Sequence, residues 1–224
     1  VAMNGDGGDE DFGGYERFMA ARFAELISKL PVPFKDKIIK LIVNSIPEYL
    51  GFKDPRLRLR RFLIELSKPY RERHYNWISI FSGREKEGMF TAGFVGETAG
   101  RSSFNYLDRA FNECGSKDIV DLVMSTDIKT NLLDDLLVKM DIATMANSLE
   151  GRSPFLDHKM MEFCAAMPSN MKIRGMKLKY MIKKALSKVL PKEILKRGKM
   201  GFGVPLDAWF RNELKSYSYE ILMS

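Results

Sequence analysis

Residues 4–15 read NGDGGDEDFGGY, a stretch that combines five glycines with four carboxylates. Glycine-rich loops that hold phosphate offer bare backbone N–H groups, often beside a lysine, whereas carboxylates repel a phosphate. The conflict disappears if a cation lies between the acids and a phosphate, or if the loop holds an amine of a substrate. The alternative is an acidic surface turn in which glycine supplies positive φ. The loop taken alone favours this alternative, so the rest of the chain must decide.

The composition of the 224-residue chain is that of an ordinary globular protein, with 45% hydrophobic and 29% charged residues. Its length is enough for one large domain or two small ones. Cys114 and Cys164 form no CxxC pair, and His74 and His158 lack ligand-like spacing, which argues against a disulfide framework or a zinc site. Two unpaired cysteines, no membrane-length apolar run and no visible signal peptide together predict a cytoplasmic protein without a membrane partner.

The chain opens with VAM at residues 1–3, which has no initiator methionine and only a short apolar stub before the loop. We interpret this stub as the end of a core strand. The sequence is therefore expected to be a piece of a longer protein.

The net charge of +7 is concentrated in one segment. Residues 172–199 hold eleven Lys/Arg and one Glu, so the remainder of the chain is slightly acidic. Such a run can mark a polyanion site, but it is more often a solvated helix face. Leu178, Met181, Ile182, Ala185, Leu186, Val189 and Leu190 form an apolar helical stripe in it, which leaves most lysines outside in solvent.

Helical periodicity dominates the chain. Amphipathic helices are predicted over residues 16–30, 34–46 and 56–68, and two more helices over 104–114 and 117–130. Residues 70–82 carry an aromatic stripe, which we interpret as part of the core and not as a platform for stacking bases. The glycine-rich, polar segment 91–103 is predicted to be a loop or a mobile lid.

Residues 131–163 are the most informative long stretch. Leu133, Leu136, Leu137, Met140 and Ala143 follow the helical i, i+3, i+4, i+7 rule, which predicts a buried face. The same helix places Asp135 and Lys139 as an i, i+4 ion pair in the favourable order.

The helix is expected to end near Gly151, because Pro154 blocks its continuation. Glu150 and Arg152 would then lie at a helix C-terminus, where their side chains either face a cleft or form a surface ion pair of little energetic value. Asp157 is predicted to cap the next helix, which Pro168 ends.

Three stretches together resemble the synthetase domain of the glutamine-dependent asparagine synthetase family. They occur in the family's order and read GDGGDEDFGGY, LVKMDIATMANSLEGRSPFLD and KRGKMGFGVPLDAWFR. The resemblance covers nearly the whole chain, to about Arg211. It implies that residues 1–224 are the mostly α-helical C-terminal part of an asparagine synthetase-type α/β domain, of the adenine nucleotide alpha hydrolase-like kind.

The resemblance also implies a reaction. ATP with Mg²⁺ activates the side-chain carboxylate of aspartate as a β-aspartyl-AMP, and ammonia then attacks this acyl-adenylate. The ammonia comes from glutamine, through an N-terminal glutaminase domain of the same polypeptide. In the family the pyrophosphate loop lies upstream of the position of Val1, so this stretch alone is expected to be inactive. Its exposed strand edge leads us to expect self-association, with a homodimer as one possible form.

Site roles follow from the resemblance residue by residue. Asp9 is implied as the ligand of Mg²⁺, a role suited to a hard oxygen donor. Asn4 and Gly5 are implied to pass their backbone against the nucleotide. Asp6 is implied to face the acceptor, where it helps to position the amino acid or to handle protons.

The other implied site residues come from the second and third stretches. Lys199 lies in a glycine-rich loop and would stabilise the charge that builds on the α-phosphate as pyrophosphate leaves. Glu150 and Arg152 would line the same cleft, with Arg152 gripping a carboxylate or phosphate. The positive charges of the metal and of this lysine would offset the repulsion between the carboxylates of the loop and a bound phosphate.

Two positions depart from the family's pattern. Many relatives carry glutamate where this chain has Asp6, although others carry aspartate. An apolar residue is usual where Asp11 stands, and the sequence assigns this extra charge no role. A β-lactam synthetase-like branch would carry tyrosine at position 6, so that branch is disfavoured.

Three alternatives remain open at this point. The chain could belong to an amidotransferase of the same fold that acts on another carboxylate. It could be a basic helical nucleic-acid-binding module, but its lysines lie opposite a core stripe and no groove-reading motif is present, so we expect no nucleic-acid partner. A degenerate relative kept only for interaction is disfavoured by the intact Asp9, Glu150, Arg152 and Lys199.

Overall fold

The computed structural model describes residues 1–29, 31–47, 54–98, 101–198 and 204–223. The chain divides into two compact units, residues 1–188 and residues 189–224. Helices make up most of the described residues, which confirms the mostly α-helical fold class. Within this part of the chain, no helix combines the length and the apolar character needed to cross a membrane.

The first half of the first unit contains β1 (Ala2–Met3), α1 (Gly8–Phe12), α2 (Glu16–Ser28), α3 (Val32–Ser45), α4 (Pro55–Glu65), α5 (Tyr70–Ile78), α6 (Gly83–Met89), α7 (Ala92–Glu97), α8 (Ser103–Asn112) and α9 (Ile119–Asp127). Its second half contains a π-helix (Ile128–Leu137), α10 (Val138–Met145), β2 (Gly151–Arg152), a 3₁₀ turn (Pro154–Leu156), α11 (His158–Ala166), α12 (Ser169–Lys172), α13 (Tyr180–Ala185) and a second 3₁₀ turn (Leu186–Lys188). The second unit contains α14 (Lys192–Lys196), α15 (Leu206–Arg211) and α16 (Lys215–Met223).

The main core of the first unit lies between α2, α8 and α9. Val120, Val123 and Met124 are buried at helical spacing on α9 and pack against Phe18 of α2 and Phe111 of α8. These helices were predicted from their periodicity, and α2, α8 and α9 lie within two or three residues of the expected bounds.

Asp127, the last residue of α9, is fully buried and joins three helices. Its carboxylate accepts hydrogen bonds from Arg17 Nε on α2 at 2.6 Å and from His74 Nε2 on α5 at 2.7 Å. The Arg17 guanidinium also lies 3.8 Å from the centre of the Tyr15 ring. Because a buried carboxylate is tolerated only when it is paired and hydrogen-bonded, these contacts fix how α2, α5 and α9 meet.

The buried face predicted for the helix after Asn131 is only partly observed, because Leu136, Leu137 and Met140 are half-buried. Residues 128–137 form a π-helix, whose i→i+5 bonding places side chains at a different angular spacing from an α-helix. Leu132 takes the buried position, whereas Leu133 is 55% exposed and Ala143 is also exposed. The predicted Asp135–Lys139 ion pair is likewise absent from the salt bridges of the described residues.

The segment 91–103 is not wholly a loop, since Ala92–Glu97 forms the short helix α7. The Thr91 side chain caps it by accepting a hydrogen bond from the backbone N–H of Phe94, which offsets part of the poor helix propensity of its two glycines.

The apolar stripe predicted from Leu178 to Leu190 is shorter than expected. Met181 and Ile182 on α13 pack against the buried cluster formed by Phe12, Cys164 and Met167. The α-helix then tightens into a 3₁₀ turn at Leu186–Lys188, and Val189 is exposed. The first residues of the predicted stripe are therefore partly buried, whereas Val189 and Leu190 at its end are exposed.

Two glycines at the end of α1 set the path of the chain there. Gly13 has φ +70°, a left-handed conformation that favours glycine, and its carbonyl accepts a hydrogen bond from Lys179 N–H at 3.3 Å. A Cβ on Gly14 would overlap Asp9 Oδ1 and lie 2.5 Å from Lys179 Cε. This turn therefore holds the acidic loop against the start of α13.

Replacing the buried carboxylate tests the joint between α2, α5 and α9. Asp127→Asn is expected to lower the free energy of unfolding by about 3 kcal/mol, because it breaks a buried ion pair and leaves Arg17 without its countercharge. Glu16→Gln removes an exposed ion pair with Arg58, at 3.0 Å, and should cost less than about 1 kcal/mol. Urea denaturation measures both, and equal effects would contradict the assignment.

The tight turn is tested by a pair of glycine substitutions. Gly14→Ala should lower the free energy of unfolding by about 2 kcal/mol, because its methyl group displaces Asp9 and Lys179. Gly5→Ala is the matched control, since a Cβ at Gly5 meets nothing within 4 Å in the structure. Thermal denaturation of the two variants measures both losses of stability. If the two variants lose similar stability, the cost comes from losing a glycine in general and not from overpacking at Gly14.

Candidate functional site

A short parallel strand pair joins the first residues of the chain to the segment around residue 151. Ala2 pairs with Gly151 and Met3 with Arg152. The backbone N–H of Ala2 donates to the Glu150 carbonyl at 2.8 Å, and that of Asn4 donates to the Arg152 carbonyl at 2.9 Å. The predicted strand at Val1–Met3 is observed as Ala2–Met3, but Val1 and Met3 are exposed, so its place in a core is not confirmed.

Both strands run in the same direction, so the residues that follow them emerge at one edge. In open α/β sheets, ligands bind at the carboxyl ends of parallel strands. Asn4, Gly5 and Asp6 follow β1, and Ser153 follows β2. The Ser153 hydroxyl donates to the Asp6 carbonyl at 2.5 Å. The structure therefore brings the first and second sequence motifs together.

Asp6 is partly buried at this edge. Its backbone N–H donates to the Asn4 side-chain oxygen at 3.3 Å, while its own Oδ2 is buried and has no hydrogen-bond partner among the described residues. Burial raises the pKa of the Asp6 carboxyl, and the positive charge of Lys139 opposes this. A carboxyl in this setting is able to hold a proton or to accept a donor from a ligand.

Asp9 is held by a lysine that the sequence did not single out. Lys179 Nζ lies 2.9 Å from Asp9 Oδ1, and Lys179 has φ 53° immediately before α13. Its place in the basic run suggested a solvated side chain. That interpretation holds for most of the segment, but Lys179 and the buried Lys172 are exceptions. Lys179 faces the acidic loop because the turn at Gly13 and Gly14 brings the start of α13 against it, and this contact cannot be deduced from the basic run alone.

Asp9 is also the predicted metal ligand. Among the described residues, no group of three or more carboxylate, thiol or imidazole side chains is arranged to hold a metal ion. Mg²⁺ at nucleotide sites takes one or two protein carboxylates and completes its shell with water and phosphate oxygens. The carboxylate oxygens of Asp9 fit that role as one ligand, in competition with the Lys179 ammonium.

Glu150 and Arg152 do not lie at a helix C-terminus, so this part of the prediction is wrong. Helix α10 ends at Met145, and Ser148 adopts the left-handed conformation, with φ 54°, that was expected nearer Gly151. The chain then enters β2 (Gly151–Arg152), with Glu150 immediately before it. The helix stop was missed because a serine, not a glycine, takes the positive φ.

Glu150 and Arg152 pair with each other. Arg152 Nε donates to Glu150 Oε1 at 2.8 Å, with the two side chains 64% and 54% exposed. The Arg152 guanidinium lowers the pKa of Glu150, and Glu150 raises that of Arg152. Such an exposed pair adds little stability. Both side chains are open to solvent, Arg152 at the carboxyl end of β2 and Glu150 just before the strand.

Lys199 and the glycines that follow it, residues 199–203, lie outside the described residues. The role implied for Lys199 stays a prediction. The geometry therefore joins Asn4, Gly5, Asp6, Asp9, Glu150 and Arg152 through one strand pair and one turn, and adds Lys139, Ser153 and Lys179 to them.

A family described as asparagine synthase matches residues 1–224. Asparagine synthetase [glutamine-hydrolyzing] 1 of Bacillus subtilis is 28% identical to the chain over 225 residues, covering 99% of the chain and 33% of that protein. A candidate glutamine-hydrolysing asparagine synthetase of Mycobacterium tuberculosis is 32% identical over 223 residues, covering 98% of the chain and 32% of that protein. No solved structure matches.

The chain spans about a third of the length of the curated relatives it matches. The family match, by contrast, extends over every residue of the chain. The chain belongs to the asparagine synthase family.

Proposed function

We propose that the chain is part of an enzyme that uses ATP to convert aspartate to asparagine, with ammonia released from glutamine elsewhere in the full-length protein. The observation that carries this proposal is the β1–β2 pairing, which places Asn4, Gly5 and Asp6 beside Arg152 and Ser153 in a chain of this family. The relatives' names, which specify glutamine hydrolysis, support the source of ammonia.

The proposed reaction has two steps. An oxygen of the acceptor carboxylate attacks the α-phosphorus of ATP, and pyrophosphate leaves. Ammonia then attacks the carbonyl carbon of the β-aspartyl-AMP, AMP leaves with the bridging oxygen, and the nitrogen loses a proton.

The described side chains are suited to parts of this chemistry. The half-buried Asp6, with one unpartnered oxygen, is suited to accept that proton or the ammonium group of the acceptor. Arg152 is suited to hold a carboxylate or phosphate once a ligand displaces Glu150. Asp9 would hold Mg²⁺, which would neutralise charge on the phosphates when bound. The backbone of Asn4 and Gly5 would lie against the nucleotide.

Two finer points belong to the same proposal. We place the enzyme in the cytoplasm, which agrees with the free Cys114 and Cys164. Another carboxylate acceptor in place of aspartate is the alternative, and a screen of acceptors with the full-length protein distinguishes the two.

The proposal is tested most simply at Lys199. In the full-length protein, Lys199→Ala should lower kcat for pyrophosphate release by roughly 10²–10³, because a preorganised cation acts on charge that develops in the transition state. Glutaminase activity and thermal stability should survive.

Lys188→Ala is the matched control, because Lys188 is exposed on the 3₁₀ turn after α13. Its kcat should change by much less than tenfold, as expected for a solvated side chain. Similar losses in the two variants would show that the catalytic cation is misplaced.

A further inference from the structure

A cavity of about 500 Å³ lies between α1, α9 and α11, and its lining includes none of the site residues described above. Four carboxylates line it, from Glu10, Asp11, Asp121 and Glu162, together with the ammonium group of Lys172. Such a volume is typical of a site for a small molecule. Apolar side chains, among them Met124 and Ile128, supply the rest of the wall.

Two carboxylates in this wall, Asp11 and Asp121, each have a buried oxygen with no hydrogen-bond partner among the described residues, and Asp11 is the more deeply buried of the two. Asp11 is 2% exposed, and its unpartnered oxygen is Oδ2. Two of its neighbours are engaged: Glu10 accepts the Tyr15 hydroxyl at 2.6 Å, and Lys172 Nζ lies 3.5 Å from Asp121 Oδ1. A buried acceptor without a donor is unfavourable, so a donor supplied by a ligand would be stabilising.

The charges of the lining select the kind of ligand. Four carboxylates against one buried lysine leave an excess of negative charge in a partly enclosed space, which attracts a cation. In the part of the chain that the structure describes, no three carboxylate, thiol or imidazole groups are arranged around a metal ion, which favours an organic cation. The apolar wall at Met124, Ile128 and Met161 is suited to an alkyl group.

We propose that this cavity binds a small primary alkylammonium ion, whose N–H groups donate to Asp11 Oδ2 while its alkyl chain lies against Met124 and Ile128. This site gives a role to Asp11, to which the sequence assigned none.

Calorimetric titration of the full-length protein with n-butylammonium chloride at pH 7.5 tests the proposal. Saturable binding is expected for n-butylammonium and not for n-butanol or butyrate, which match its size without its charge. Asp11→Asn should weaken the binding by about tenfold or more, as expected for a lost hydrogen bond to a charged group. Glu162→Gln, at an exposed position of the same wall, should change it by less than about threefold.

The rate at which Cys114 is alkylated shows whether the ligand binds in this cavity, and the measurement needs no variant. Cys114 is half-buried and lines the cavity, whereas Cys164 is buried and its thiol pKa is raised to about 11 by burial, so it reacts slowly. Bound n-butylammonium should slow the reaction of Cys114 with iodoacetamide. Absence of saturable binding, equal binding of butyrate, or binding that leaves the Cys114 rate unchanged would each overturn the proposal. Displacement by equimolar KCl would also overturn it, since the site would then prefer an inorganic cation.

Discussion

Two residues of parallel β-pairing, Ala2–Met3 against Gly151–Arg152, hold together segments separated by almost 150 positions in the chain. A ladder this short contributes only a few hydrogen bonds, each worth about 0.5–1.5 kcal/mol net, so it needs support from packing. That support comes from the 3₁₀ turn that follows β2. A Cβ on Gly7 or Gly8 would clash with Leu156 or press on Phe155, and Phe155 packs edge-to-face on Phe12. The acidic loop therefore keeps its glycines because hydrophobic side chains of the second motif occupy the space.

The four carboxylates of the acidic loop are partnered to different degrees. Asp9 faces Lys179, Glu10 accepts from Tyr15, and Asp11 lies near Lys172. Asp6 Oδ2 and Asp11 Oδ2 are both buried without a donor among the described residues. The fold thus offsets part of the charge of the loop and leaves two acceptors, Asp6 at the proposed reaction edge and Asp11 in the wall of the cavity.

Much of this arrangement could be predicted from local sequence. The cap at Asp157 is an example, since its side chain accepts from the N–H groups of Lys159 and Met160 as expected. The wrong predictions have physical causes that cannot be read from the local sequence pattern. The π-helix changes the angular spacing after Asp127, Ser148 takes a positive φ usually left to glycine, and Lys179 finds its partner through a turn made by distant residues. The shared cavity of Cys114 and Cys164 was invisible for the same reason, because sequence spacing does not report tertiary proximity.

The measurement that tests the proposed reaction most directly is the fate of oxygen from the acceptor. Full-length protein is supplied with ATP, glutamine and aspartate whose side-chain carboxylate carries ¹⁸O, and the released AMP is analysed by mass spectrometry. The proposal predicts one ¹⁸O atom in each AMP, because the carboxylate oxygen that attacks the α-phosphorus leaves with it. AMP without ¹⁸O, or ADP and phosphate as the products, would contradict it.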